Sequence, residues 1–229
     1  MVNNPATQGL SPADLPVLPR LLLAYAPAQS RPWQLLCWLL DQRLAAIARR
    51  GGDPTIAAIR LAWWDAVLVE GDLSKGSGEP LVERWREIAP PNAGKAAEQL
   101  IEGWRYIVTQ EAMSDEDLHD YGQTRGGGLF ALLAPAEGAT QTQAIAHTGA
   151  LWALWDLAAH VRDEALASRA LAVAKQRLAQ SVLTPSGRTA RPLRLARAIM
   201  LPDIKRGRAP AAGFSPTHYA RLLIASLRG

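Results

Sequence analysis

The chain carries a single cysteine, Cys37, in 229 residues. A disulfide framework needs pairs and a thiolate metal site needs clusters, so this sequence supplies neither, and its cysteine usage suits a reducing compartment. No apolar run reaches 18 residues, so no segment is expected to cross a bilayer as a helix. The opening stretch MVNNPATQGLSPADLPVLPR has no basic region followed by an apolar core, and no secretory signal is expected from it. Phenylalanine is scarce at 2 residues, while tryptophan reaches 8. Alternation of apolar and polar residues is nowhere sustained, which argues against sheet. Without a preceding strand, Gly126-Gly127-Gly128 is not a phosphate-cradling loop. The triplet suits a close helix contact or a helix break instead.

What is present is helical periodicity. Trp33, Leu36, Cys37, Leu40, Leu44 and Ile47 recur at helical spacing, and so do Leu100, Ile101, Trp104, Ile107 and Val108. Leu151, Leu154, Ala158 and Val161 form a further stripe, and Leu171, Ala174 and Leu178 another. Ser114 ahead of three acids reads as an N-cap opening a helix through Tyr121. Asp53-Pro54-Thr55 and Ser215-Pro216 read as two more helix starts. Loops are expected at GDLSKGSGEP, APPNAG and APAEGAT. No repeat or shift in composition marks a border. The expectation is one all-α domain over residues 1–229, of roughly eight to ten helices, with residues 1–14 flexible.

Net charge is +4 but uneven. From Ser186 onward the basic residues are Arg188, Arg191, Arg194, Arg197, Lys205, Arg206, Arg208, Arg221 and Arg228, against the lone acid Asp203. The four arginines from 188 to 197 recur every third residue, which on a helix makes one slanting ridge. Together with Lys205 and Arg206 they are the expected binding surface for an anionic partner: a membrane surface or an acidic protein. A merely solvated basic face is the alternative. No nucleic-acid module accompanies the charge, so no nucleic-acid partner is expected.

IRLAWWDAVL, residues 59–68, places Trp63 and Trp64 side by side after Arg60-Leu61. This stretch follows LLCWLLDQRLAAIARR and GDPTIAAI. Farther on come YGQTRGGGLFALLA, GALWALWDLAAHVRDE and RPLRLARAIM. In this order they resemble the squalene/phytoene synthase family: its Arg-Leu-x-Trp-Trp helix after the first aspartate-rich helix, its Tyr-then-Gly helix along the pocket, and its second aspartate-rich helix. The resemblance implies an isoprenoid-synthase-like bundle in which the Trp-Trp helix is buried on several sides. It implies a pocket lined by Asp41, Arg49, Tyr121 and Gly127. It also implies head-to-head joining of two prenyl diphosphates, with Mg²⁺ held by carboxylates of two facing helices.

The sequence departs from that pattern where the chemistry resides. Aligned on the Trp pair, the first motif's aspartates fall on Ala45, Ala46 and Arg49, and Asp41 is the sole acid between Arg31 and Asp53. A guanidinium binds phosphate but cannot ligate Mg²⁺. In the second motif Asp156, Asp163 and Glu164 keep polar or acidic positions, and His160 stands where the lead aspartate is expected. These four are vestigial positions rather than a catalytic set. His160 reads as an acid/base group, a weak ligand or simply a hydrogen-bonded helix residue, and Asp163 with Glu164 as a remnant ion site or a solvated pair. His119, His147 and His218 show no ligand spacing, and Cys37 reads as inert core.

The expectation is therefore a non-catalytic protein with no metal and no cofactor, similar to the short branch of the family that includes mitochondrial complex I assembly factors. It would act in interaction, assembly or lipid binding, cytoplasmic and peripheral on the inner membrane face, with a prenyl lipid as a further candidate ligand. The alternatives are a divergent prenyl transferase, which would require Mg²⁺, and an unrelated helical binding protein.

Overall fold

The structure is a computed structural model. It describes residues 9–49, 53–110, 112–134, 138–181, 183–210 and 213–228. All regular structure among them is helical. The helices are α1 (Val17–Ala24), α2 (Arg31–Arg49), α3 (Pro54–Leu68), α4 (Pro80–Ile88), α5 (Ala93–Thr109), α6 (Asp115–Tyr121), α7 (Gly127–Leu133), α8 (Ala139–His160), α9 (Glu164–Gln180), α10 (Arg191–Arg206) and α11 (Pro216–Arg228). A π turn, Gly122–Gly126, joins α6 to α7 without a break, so the two run as one rod and the bundle counts ten. Of the segment read as flexible, residues 1–8 lie outside the described residues, and Pro12–Asp14 form a 3₁₀ turn capped by Ser11.

The helix starts follow local chemistry. Asp53 accepts a hydrogen bond from Thr55 N at the head of α3. Ser114 and Asp117 cap each other's backbone at the head of α6. Ser215 Oγ accepts from His218 N at the head of α11. Each satisfies a donor that a helix N-terminus leaves open.

The α6–α7 rod packs between α5 and α8, and glycine makes that possible. A Cβ on Gly126 would lie 2.0 Å from Gly149 O in α8, and one on Gly103 of α5 would lie 2.3 Å from Arg125 N. Side chains at these crossings would hold the helices apart, so the backbones meet only because none is present. α2 lies across the rod and closes its far end. Trp33 Nε1 donates to Leu132 O at 2.7 Å and Gln34 Nε2 to Leu133 O at 2.9 Å, covering carbonyls that the end of α7 leaves open. Aromatic packing fills the centre: Trp38 of α2 meets Trp152 of α8 edge-on, with ring centroids 5.5 Å apart. Deleting such a ring typically costs about 3–5 kcal/mol.

The Trp pair is more exposed than expected. Trp64 is buried, and Trp63 packs edge-on against it with centroids 5.0 Å apart while remaining half-buried. α3 packs mainly on α5, and its first turns leave Ile56 and Ile59 exposed at 51% and 64%. The helix is therefore covered on one flank rather than around its girth. The tryptophans differ in role: one fills the core and the other lids a shallow surface hollow beside Arg43 and Ile47.

Candidate functional site

The centre of the molecule holds an ion-pair network built from α2, the π turn and α8. Arg125 lies in the π turn, where the extra residue per turn displaces the backbone from regular helix. Arg125 is only 1% exposed, as is Asp41. Nη2 donates to Asp41 Oδ2 at 3.1 Å, Nε lies 3.3 Å from Asp41 Oδ1, and Nη1 reaches Asp156 Oδ2 at 2.8 Å. The same Nη1 donates to the Tyr121 hydroxyl at 2.8 Å. The guanidinium also stacks over the Trp104 ring, 4.2 Å from its centroid, while Trp104 Nε1 donates to Asp41 Oδ1 at 2.9 Å.

Asp156 is shared by Arg125, Arg49 and His160. Arg49 Nη2 donates to its Oδ2 at 3.0 Å, and His160 Nδ1 lies 3.3 Å from Oδ1. Burial pushes the Asp156 carboxyl up, but Arg125, His160 and Arg49 outweigh it and hold the group well below the usual carboxylate range. The hydrogen bond to Asp156 raises His160 against the opposing effect of burial. Burial lowers the Arg125 guanidinium, but Asp41, Tyr121 and Asp156 raise it well above its ordinary value. Desolvation pushes the Tyr121 hydroxyl up to about 12, so the phenol stays neutral. Asp41 and Asp156 against Arg125 and Arg49 leave the centre neutral before His160 takes a proton.

A cavity of about 170 Å³ opens beside this network, between the start of α1, α2, α8 and the approach to α11. Asp41 and Arg49 line it, as do Asp156 and His160, with Trp38, Trp152 and Trp155 as apolar wall. Its far side is fixed by a second cluster. Asp203 of α10 accepts from Trp155 Nε1 at 3.2 Å, and Arg221 Nη2 lies 2.8 Å from its other oxygen. His218 Nε2 of α11 is 3.4 Å from Asp203.

Several sequence expectations change position. Tyr121 and Gly127 do not line the cavity. Tyr121 is drawn behind Arg125, and Gly127 faces Gln123 and Ala146. Asp163 and Glu164 are not on the second-motif helix at all. α8 ends at His160, Val161 is extended, and Asp163 caps α9 by accepting from Ala165 N and Leu166 N. The basic ridge is also broken. Arg188 precedes α10, Arg191 folds over the Tyr25 ring at 5.4 Å and donates to Ser226 O, and Arg197 is half-buried. Arg194 donates to Gly187 O, and Lys205 and Arg206 are exposed about 17 Å away at the other end of the helix.

Sequence reasoning missed Arg125. The signal was present: one arginine among glycines in an apolar stretch, four residues after Tyr121, and a lone aspartate in each of two other helices, Asp41 and Asp156. No family model, curated protein or solved structure matches the chain.

Proposed function

We propose that the chain is a non-catalytic protein of squalene/phytoene synthase type that acts at an anionic membrane surface, in interaction or assembly rather than prenyl transfer. The observation that carries this reading is Arg125. Mg²⁺ needs oxygen lone pairs in near-octahedral geometry at about 2.0–2.1 Å. Both carboxylates that face each other across the bundle already spend theirs on a fixed internal guanidinium, on Trp104, on Arg49 and on His160. The donor set therefore does not fit Mg²⁺, and no step through a metal is derived. The cavity size points the same way. About 170 Å³ is near the space that takes one benzene ring, well short of the roughly 300–1,000 Å³ of pockets for larger ligands.

The membrane half of the proposal is supported by α11. Tyr219, Leu223 and Leu227 recur every fourth residue and are 47–80% exposed, with Ile224 beside them at 50%. Ile224 shares a groove with Arg191, Arg194 and Arg221, and Arg188 adjoins Arg191 and Arg194 at Tyr25. An apolar stripe rimmed by arginine matches the chemistry of a helix lying in the headgroup layer. Each basic residue near such a surface contributes about 1 kcal/mol, and salt screens it over about 8 Å.

Co-sedimentation with phosphatidylglycerol vesicles tests this. Wild type is expected to bind at low salt and release at high salt. Leu223→Glu with Leu227→Glu, and separately Arg188→Glu with Arg194→Glu, are each expected to cut binding at least fivefold. Absence of binding, or binding that ignores salt and both variants, overturns the membrane reading in favour of a protein partner or a solvated face.

A further inference from the structure

The cavity beside the ion-pair network has a composition that neither Mg²⁺ chemistry nor membrane docking explains. Three indoles, Trp38, Trp152 and Trp155, form its wall. At the outer end stand Arg49 and His160, whose side chains are 31% and 47% exposed. Each gives one side to Asp156, and among the described residues the other Arg49 N–H groups and His160 Nε2 are open.

The charges select among ligands. Within the network Asp41 and Asp156 balance Arg125 and Arg49, and behind the opposite wall, where His218 lines the cavity, Asp203 balances Arg221. Protonation of His160, favoured by Asp156, leaves one positive charge in excess. A single negative charge completes the site, and a dianion would overfill it next to Asp156. The volume admits about one six-membered ring.

We propose that this cavity binds a small monoanionic carboxylic acid with a flat apolar body, its carboxylate on Arg49 and His160 and its body among Trp38, Trp152 and Trp155. This goes beyond the surface-docking function and stands whether or not the chain meets a membrane.

Benzoate is the probe, followed by calorimetry and by tryptophan fluorescence on the full chain near pH 6. Saturable binding of benzoate is expected, at least tenfold tighter than benzyl alcohol, which has the ring without the charge. Inorganic phosphate, which has charge without the ring, is expected not to compete. Arg49→Gln is expected to bring benzoate down to the level of benzyl alcohol. Ala159→Phe, which places a ring in the cavity from its partly exposed edge, is expected to abolish both while circular dichroism stays unchanged. No saturable binding of benzoate to wild type overturns the proposal. So does equal binding of acid and alcohol, phosphate competing as well as benzoate, or an Ala159→Phe protein that folds and still binds.

Discussion

Removing the Arg125 guanidinium would leave Asp41 inside the protein with Trp104 Nε1 as its remaining side-chain donor among the described residues. Breaking a buried pair in this way costs about 3–5 kcal/mol, because the surviving charge has lost its partner and cannot reach water. Arg125→Met is therefore expected to lower the urea unfolding free energy by that amount. Adding Asp41→Asn to it is expected to restore a part, since the stranded charge is then gone. A double variant no better than the single one would contradict this. Asp156 adds a pH signature. Its folded carboxyl lies below the unfolded value of about 3.9, so its contribution is present above that pH and is lost as pH falls through the folded value. The stability gap between wild type and Asp156→Asn is expected to be widest near neutrality and to shrink below pH 4 in urea titrations. The sequence displayed all three residues but not their meeting: Asp41 and Arg125 are 84 positions apart, and local spacing carries no information across that distance.

Among the elements, those with strong local signals were legible. The capping box of Ser114 with Asp117, the Asp53 cap and the Ser215-Pro216 start each fixed a helix end by neighbours within three residues. α1 and α4 were not individually legible. They span eight and nine residues, too few turns for periodicity to stand out, and proline lies inside one and opens the other. Asp163 misled in the opposite sense: an acid after an apolar helix reads as that helix's continuation, yet it serves as the cap of the next. The glycine triplet separates by role. Gly126→Ala would drive a Cβ into the α8 backbone and is expected to cost about 1–3 kcal/mol or more. Gly127→Ala meets nothing closer than 3.6 Å and is expected to be neutral or stabilising by up to about 1 kcal/mol through helix propensity. Thermal unfolding of the two variants, side by side, checks whether the close crossing or the composition matters.

For the whole molecule, composition and periodicity carried the all-α single bundle, because every helix buries a stripe against one shared core. They did not carry the shape of the charged surface. The basic spacing from Arg188 to Arg197 assumed one helix, whereas the chain turns into α10 only at Arg191 and packs two of those arginines inward. The central claim is that an internal guanidinium, not a metal, joins the two facing carboxylates. Calorimetric titration of Mg²⁺ into the wild-type protein, alone and with farnesyl diphosphate present, tests it most directly. The account predicts no binding tighter than the millimolar range in either titration, and no release of diphosphate during them. A stoichiometric micromolar Mg²⁺ site that depends on Asp41 and Asp156 would contradict it and restore the prenyl transferase.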